Sequence, residues 1–238
     1  MRSPRRPGSD DPDMSDDFQT AAIEASGLAR RYGASWVLRG VSLRVARGEV
    51  VGLLGTNGSG KSTLLRILAT LLKPHAGSGS VWGHDIVRNA AAVRSQIGFL
   101  AHSPGLYDDL TTRENLTFVT AMLGRGEGDI DRVLERVDLA HAAGTQVRAL
   151  SAGMQRRVAL ARLMLVRPKV LFLDEPYSNL DSSGIALVNA LVGEWTAEGA
   201  AALVVLHELA PAAPVLHRTV TLHEGRIASS EPNVAVMA

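Results

Sequence analysis

The chain has 238 residues, of which 46% are hydrophobic and 21% are charged, and its formal net charge is +1. This composition is typical of a globular protein with one sizeable α/β core, and the near-neutral charge argues against a surface for nucleic acid. Because the chain contains no cysteine, disulfides, zinc-thiolate sites and cysteine nucleophiles are excluded. No stretch reaches the roughly 18 uninterrupted apolar residues of a membrane span.

The first residues differ in composition from the rest of the chain. Residues 1–20 are rich in Pro, Arg, Asp and Ser and lack the apolar core of a signal sequence, which predicts a disordered N-terminal tail. Met14 offers an alternative start. We expect the folded domain to occupy residues 21–230, and the lack of an export signal favours a cytoplasmic protein.

The first half of this domain begins with β-rich sequence. The pattern predicts strands in AAIEASGLARRYG, WVLRGVSLRV and GEVVGLLG, and then a helix in STLLRILATLL that KPHAGSGS ends. A strand in SVWGHDI, a short helix over residues 90–96 and a buried strand in IGFLAH follow. Two helices are predicted between Leu110 and Leu150, in DLTTRENLTFVTAML and DIDRVLERVDL.

The second half alternates more regularly. Ser151 is well placed to cap a long amphipathic helix, SAGMQRRVALARLML. A strand in KVLFLDEP, a helix in SGIALVNALVGEWTAEG, a strand in AALVVLHE and a hairpin in RTVTLHEGRI complete the series. Alternating strands and helices predict a parallel sheet covered on both faces. The early β-rich runs and the helices of about 110–165 are then additions to an α/β core.

The stretch GTNGSGKST follows a predicted buried strand and opens a helix. Its spacing, Gly55-x-x-x-x-Gly60-Lys61-Ser62, is that of a phosphate-binding loop, in which glycines let successive backbone N–H groups point at an anion. Lys61 supplies a point charge for the β- and γ-phosphates, and Ser62 supplies a hydroxyl for Mg²⁺. The candidate ATP-binding residues of the loop are Gly55, Thr56, Asn57, Gly58, Ser59, Gly60, Lys61, Ser62 and Thr63.

Two acids end the apolar run VLFLDEP. Ligands of open α/β sheets bind at the carboxyl ends of the strands, where Asp174 and Glu175 are predicted to lie. We expect Asp174 to hold Mg²⁺ directly or through water, and Glu175 to orient or deprotonate the attacking water. With the loop, the acids predict a nucleotide hydrolase.

LSAGMQRR resembles the signature sequence of ABC transporter ATPases, usually L-S-G-G-Q. Ser151 and Gly153 are kept, whereas Ala152 and Met154 replace a glycine and the glutamine. The other elements of that family follow in order over about Ile23 to Ile227. By this resemblance Asp181 is the acid of the D-loop, His207 the switch histidine near the γ-phosphate, and Tyr32 the aromatic ring that stacks on adenine.

The resemblance implies a P-loop NTPase of the ABC type, with a mixed sheet core, an antiparallel β subdomain and a small helical subdomain. It also implies an Mg²⁺-dependent ATPase on the cytoplasmic face of the membrane, bound to separate transmembrane permease subunits. Two copies would pair head-to-tail, each ATP lying between Lys61 of one copy and the signature residues Ser151 to Met154 of the other.

His102 stands where this family normally has a glutamine near Mg²⁺ and the membrane partner. Together with LSAG and the run HSPGLYDDLTTRENL, it resembles the ATP-binding subunit of haem exporters in cytochrome c maturation, which predicts haem export. The ATPase of another efflux system, for drugs, lipids or antibiotics, is the main alternative. A third possibility is a soluble ABC-type protein acting on DNA or ribosomes, which the near-neutral charge does not support. A fourth is a small-molecule kinase, which the LSAGMQ motif does not support.

Overall fold

The computed structural model describes residues 21–232, and the tail predicted over residues 1–20 lies outside the described residues. The strands are β1 (Ala21–Tyr32), β2 (Ser35–Ala46), β3 (Val50–Leu54), β4 (Ala76–Val81), β5 (His84–Asp85), β6 (Ile97–Leu100), β7 (Val170–Asp174), β8 (Ala201–Val205), β9 (Arg218–His223) and β10 (Arg226–Pro232). The helices are α1 (Lys61–Leu68), α2 (Ala90–Arg94), α3 (Thr112–Met122), α4 (Ile130–Arg136), α5 (Ala152–Val166) and α6 (Ser182–Ala197), and short 3₁₀ turns occupy Ala140–Ala142 and Val147–Ala149.

The core is a six-stranded mixed sheet in the order β10-β9-β3-β8-β7-β6. Strands β9, β3, β8, β7 and β6 run parallel, and β10 is antiparallel at one edge. The carboxyl ends of β3 and β7 therefore lie at the same edge of the sheet. This places the loop after Leu54 near the acids that end β7.

Both faces of this sheet are buried, as the alternation of strands and helices predicts. In β7, Val170 and Phe172 belong to the apolar cluster that includes α1, whereas Leu171 and Leu173 pack with the cluster of α5 and α6. Successive side chains of a strand point to opposite faces, so a strand covered on both sides is apolar throughout. The core strands thus form a rigid support for the loops at their carboxyl ends.

A second, four-stranded antiparallel sheet lies beside the core in the order β2-β1-β4-β5. The sequence predicts a strand only from Ser80, but β4 already begins at Ala76. Its first residues are small, and a Cβ at Gly77 would lie 2.3 Å from the Gly27 carbonyl oxygen. This segment pairs because its backbone can approach β1 closely, which hydrophobic periodicity does not detect.

Helices α3 and α4 and the 3₁₀ turns pack with α5 around a third apolar cluster. The amphipathic pattern predicted for α5 is wrong, because the helix contributes Leu160 and Leu163 to the core cluster and Val158 and Ala161 to this third cluster. The helix is therefore apolar on two sides. No helix among residues 21–232 combines the length and the apolarity needed to cross a bilayer.

Phe172 tests the contribution of the sheet to stability. Its side chain is fully buried in β7 between neighbouring strands β6 and β8. We expect Phe172→Ala to lower the free energy of unfolding by about 3–5 kcal/mol, because it leaves a cavity in a closely packed core. Urea unfolding measures this change. The control is Phe118→Ala, because the Phe118 side chain is 41% exposed; we expect it to lower the free energy of unfolding by less than about 1 kcal/mol. Equal losses for the two variants would contradict this prediction.

Candidate functional site

The loop from Gly55 to Gly60 has the backbone that the glycine spacing predicts. Gly55, Gly58 and Gly60 adopt φ values of 146°, 82° and 108°, a region that side chains with a Cβ rarely enter. A Cβ at Gly55 would lie 2.2 Å from the Leu222 carbonyl oxygen. The loop thus lies close against β9 and leads directly into the N-terminus of α1. At a helix N-terminus, unpaired N–H groups and the helix dipole favour an anion.

Lys61 is held inside this loop. Its ammonium donates to the carbonyl oxygens of Gly55 at 2.7 Å and Thr56 at 3.1 Å, and the residue is only 7% exposed. The hydroxyl of Ser59 is also buried, and it has no hydrogen-bond partner among the described residues. A buried polar group without a partner is costly. The loop thus presents a cation and an orphaned donor to one small space, which fits a phosphate group.

Ser62 and Asp174 meet although they are distant in the sequence. The Ser62 hydroxyl donates to Asp174 Oδ1 at 3.3 Å, and the Asp174 side chain lies at the end of β7 and is buried. A hydroxyl and a carboxylate are hard oxygen ligands, the type that Mg²⁺ prefers when phosphates and waters complete its shell. Among residues 21–232 no cluster of three or more His, Cys or acidic side chains could hold a metal by itself. The pair fits a cation that arrives with a nucleotide.

Two histidines contact the carboxylate of Glu175. His207 Nε2 lies 2.6 Å from one carboxylate oxygen, and His102 Nδ1 lies 3.1 Å from the other. Glu175 itself adopts φ 53°, a left-handed conformation that costs free energy for a residue with a Cβ. The turn after β7 therefore holds this carboxylate at the edge of the sheet, between the ends of β6 and β8.

Two opposing effects act on the pKa of Glu175. Partial burial raises the pKa of this carboxyl, but hydrogen bonds and charge from His207 and then His102 lower it, and the net effect is a pKa below the usual value. The carboxylate is thus ionised at neutral pH. An ionised carboxylate is the form that can accept a proton from water.

Arg156 is a site residue that sequence reasoning missed. Its guanidinium donates to the carbonyl oxygens of Ala101 at 2.8 Å and Glu175 at 2.9 Å, and the residue is 2% exposed. Burial lowers the pKa of Arg156, while the nearby Glu175 and Asp174 carboxylates counteract that effect. Arg156 thus ties the segment that carries His102 to the end of β7. Its only sequence signal is that it is one of three arginines, with Arg157 and Arg162, in a helix rich in apolar residues.

The signature residues lie at the start of α5. Ser151 caps the helix, as predicted, because its side chain accepts from the Met154 N–H at 3.2 Å. Ser151 and Ala152 are exposed, and Gly153 and Met154 are partly buried. A Cβ at Gly153 would lie 2.8 Å from the Asn179 carbonyl oxygen. No hydrogen bond within the described part of the chain joins these residues to the phosphate loop.

Asp181 and Tyr32 occupy separate positions around the site. Asp181 caps α6 by accepting from the Gly184 N–H at 2.8 Å, and this bond lowers its carboxyl pKa, with Ser183 and Arg157 adding to the effect. Tyr32 ends β1, is 46% exposed and lies against the guanidinium of Arg30. Since β2 packs against Gly60 through Leu38, the hairpin of β1 and β2 borders the phosphate loop.

Three curated proteins that are similar in sequence to this chain are named as ATP-binding proteins. The daunorubicin resistance ATP-binding protein of Streptomyces coeruleorubidus is 43% identical over 87% of the chain, and the chain spans 66% of that relative's length. The fluoroquinolones export ATP-binding protein of Mycobacterium tuberculosis is 35% identical, with 87% of this chain and 70% of the relative covered. The bacitracin transport ATP-binding protein of Bacillus licheniformis is 32% identical, with 88% of this chain and 69% of the relative covered.

Solved structures have the same fold. An ATP-binding subunit of an ABC transporter superimposes with a TM-score of 0.82 at 30% identity, covering 89% of this chain and 90% of that one. A subunit of the cbiONQ transporter complex of Clostridium perfringens superimposes with a TM-score of 0.77 at 26% identity, covering 92% of this chain and 91% of that one. A dimeric ATP-binding cassette in a post-hydrolysis state with ADP and Pi superimposes with a TM-score of 0.79 at 26% identity, covering 88% of this chain and 98% of that one.

The ABC transporter family model matches residues 38–178. That range includes the phosphate loop, the start of α5 and the acids after β7. Together with the fold and the relatives, this match assigns the family. The chain belongs to the ABC transporter family, as an ATP-binding and ATP-hydrolysing subunit.

Proposed function

We propose that this chain hydrolyses ATP with Glu175 as the base and thereby powers a small-molecule exporter. The observation that carries the proposal is the Glu175 carboxylate, ionised and held by two histidines beside the Ser62–Asp174 pair. The β- and γ-phosphates would bind the backbone N–H groups of the loop, the Ser59 hydroxyl and the Lys61 ammonium. Bound Mg²⁺ would neutralise charge on the phosphate oxygens.

Each remaining site residue has a proposed role in this reaction. Glu175 would accept a proton from the attacking water, and His207 would exchange its contact with Glu175 for one with the γ-phosphate. Ser62 and Asp174 would hold Mg²⁺. Tyr32 would stack on the adenine ring. The loop residues Gly55 to Thr63 would enclose the triphosphate.

The signature would serve a second copy of the chain. Ser151 and Gly153 begin α5 away from the phosphate loop, so their hydroxyl and N–H would bind the γ-phosphate held by a partner. The dimeric cassette with ADP and Pi supports such an arrangement. Asp181, which the resemblance assigns to the D-loop, would lie at the same dimer interface. ATP would then close the dimer and hydrolysis would open it.

Motion of such a dimer requires membrane partners to become transport. The similar structure from Clostridium perfringens is part of a transporter complex, which supports separate permease subunits for this chain too. The ATPase would bind them peripherally at the cytoplasmic face of the membrane. His102 and the helices of the α3–α5 unit are the proposed contact region.

The names of three relatives support one class of cargo. Those described above are named for daunorubicin resistance, bacitracin transport and fluoroquinolone export, which supports efflux of drug- or antibiotic-like molecules. They give no support to haem, the cargo that His102 and the LSAG signature predict. We therefore place haem second and efflux of an amphipathic small molecule first.

Purification with the native membrane partner tests this choice. The complex reconstituted in liposomes should hydrolyse ATP several-fold faster with an amphipathic drug than without it, while haem leaves the rate unchanged. The Glu175→Gln complex is the control for contaminating ATPases. Stimulation by haem alone would reverse the order of the two cargoes. An ATPase that co-purifies with no membrane protein would contradict the exporter proposal itself.

His102 gives a prediction about pH. The pKa of Glu175 is lowered, so this base stays ionised as the pH falls from about 7.5 to 6, and a change in rate there must come from another group. An imidazole changes charge in this range and an amide does not. A positive charge on the His102 ring, which faces Glu175, would strengthen its ion pair with this carboxylate and so slow hydrolysis. We expect His102→Gln to flatten the profile.

Initial rates of phosphate release across this pH range measure the effect. His141→Gln, at an exposed histidine of the 3₁₀ turn, is the matched control and should keep the parental profile. His207 also faces Glu175 and is unchanged in this variant, so we expect the His102→Gln profile to be flatter than the parental profile but to keep the part that His207 contributes. Superimposable profiles for His102→Gln and the parent would remove His102 as the source of the pH dependence.

A further inference from the structure

Charged side chains are buried at only three positions within residues 21–232, namely Lys61, Arg156 and Asp174. Lys61 lies in the phosphate loop and Asp174 contacts Ser62, so both have a proposed role at the nucleotide. Arg156 has no such role. Taking an ion out of water is costly unless other groups compensate for the lost hydration. The burial of Arg156 must therefore be explained by the groups that it contacts.

Backbone carbonyl groups, rather than a carboxylate partner, compensate the Arg156 guanidinium. Arg156 forms no ion pair within the described part of the chain. Its Nη1 donates to the Ala101 carbonyl oxygen at 2.8 Å, and its Nη2 donates to the Glu175 carbonyl oxygen at 2.9 Å. Because a guanidinium presents its N–H groups in a rigid planar fork, it holds these two acceptors at a fixed separation. The side chain is thus a bridge between two backbone segments.

The bridge lies where the pairing of two neighbouring strands has ended. The parallel pairing of β6 with β7 extends to Leu100 and Leu173, and the two carbonyl groups that Arg156 contacts belong to residues beyond this pair. Glu175 also has a left-handed backbone, with φ 53°, which persists only when the surrounding structure fixes it. The hydrogen bonds of Arg156 therefore continue a connection between the two segments that the strands no longer make.

The same bridge determines how His102 meets the base. Its ring Nδ1 lies 3.1 Å from the Glu175 carboxylate, and Arg156 holds the carbonyl group of Glu175 and that of Ala101, the residue before His102. We propose that Arg156 is a positioning residue, which keeps the Glu175 carboxylate in the orientation that accepts a proton from the attacking water. This inference rests on the proposed role of Glu175 as the base. Arg156 has no hydrogen bond to the phosphate loop within residues 21–232, so it acts through Glu175 and not on ATP.

Arg162 provides a matched control on the same helix. Its Nη1 donates to the carbonyl oxygens of Pro104 at 3.2 Å and Gly105 at 2.8 Å, and burial lowers the pKa of both arginines. Both side chains thus hold the segment after β6 against α5, but Arg156 alone of the two bonds to Glu175. A purely structural role would be common to the two arginines, whereas a positioning role is expected of Arg156 only.

The variants Arg156→Met and Arg162→Met, made in the full chain, separate these roles. Each removes the donors of two carbonyl groups, so both should unfold at a lower temperature than the parent. Arg156→Met should reduce kcat for ATP hydrolysis about 10- to 100-fold, as expected for a misplaced catalytic group, while the affinity for a fluorescent ATP analogue changes less than about threefold. Arg162→Met should keep kcat within about twofold of the parent. Parental kcat in a folded Arg156→Met protein, or an equal loss in Arg162→Met, would overturn the proposal.

A double variant shows whether Arg156 acts through Glu175. Because the base is then already absent, Arg156→Met combined with Glu175→Gln should release labelled phosphate in a single turnover no more than about twofold slower than Glu175→Gln alone. Losses that multiply would show an independent contribution and would remove the positioning role. A parental rate in Glu175→Gln itself would instead contradict the proposed base. The failure of that proposal is thus distinguishable from the failure of this inference.

Arg156→Lys decides the question if the methionine variant does not fold. Lysine keeps the positive charge but has a single nitrogen in place of the planar fork, so kcat should still fall about fivefold. The affinity for the ATP analogue should again be that of the parent. A folded Arg156→Lys protein with parental kcat would show that the charge alone suffices, and positioning by the fork would be wrong.

Discussion

Replacing Lys61 by alanine is expected to lower the affinity for ATP by about a hundredfold, because each hydrogen bond to a charged phosphate contributes about 1.5–3 kcal/mol. The ammonium is buried in the loop, where the Gly55 and Thr56 carbonyl oxygens already hold it. It therefore needs little reorganisation to meet the phosphates. Equilibrium binding of a fluorescent ATP analogue measures the loss.

The control for this variant is Lys73→Ala, which removes an exposed lysine and should bind ATP as the parent does. Thermal unfolding of both variants separates loss of the site from loss of the fold. The Lys61→Ala protein should remain folded, because the loop lies at the end of a sheet that its own apolar clusters stabilise. Parental ATP affinity in a folded Lys61→Ala protein would contradict the proposed nucleotide site, and the exporter proposal with it.

Glu175→Gln should reduce hydrolysis by about 10²- to 10⁴-fold while ATP still binds, since the change removes a general base but keeps the size of the side chain. With ATP bound and not consumed, the closed dimer should accumulate. Phosphate release gives the rate, and size-exclusion chromatography with light scattering, in the presence of Mg²⁺ and ATP, gives the mass.

Glu127→Gln serves as the matched control, because Glu127 is exposed in the loop before α4. It should hydrolyse ATP at the parental rate and show no excess dimer. If Glu175→Gln keeps the parental rate, Glu175 is not the base. If the rate falls but no dimer forms, the base assignment stands and the proposed use of the signature by a second copy fails.

The two contacts of Glu175 also bear on regulation of the cycle. In this structure His102 and His207 each contact one of the two carboxylate oxygens, and the remaining lone pairs of these oxygens can still accept a hydrogen bond from a water. The γ-phosphate of ATP would provide an alternative partner for His207. The pH experiment therefore changes one histidine that contacts the carboxylate, and the rate experiment changes the carboxylate itself.

Local patterns in the sequence were sufficient for several elements. The glycine spacing from Gly55 to Gly60, between a buried strand and a helix, predicts the loop because the motif is contained within a few consecutive residues. Ser151 is likewise recognisable as a cap from its position before α5. The family resemblance extended this to the mixed sheet and the antiparallel sheet. The cargo has no comparable local signal: the haem prediction depended on a few residues, and the three relatives described above are named for daunorubicin resistance, bacitracin transport and fluoroquinolone export.

What the sequence determined by itself is thus the phosphate loop, the acids at the end of β7 and the order of strands and helices, because these depend on short-range spacing and periodicity. Only the tertiary structure decided that Ser62 meets Asp174, that His102 and His207 contact Glu175 together and that Arg156 joins these segments. Those contacts join residues far apart along the chain. The pairing of parallel strands brings them together, and no local pattern records that pairing.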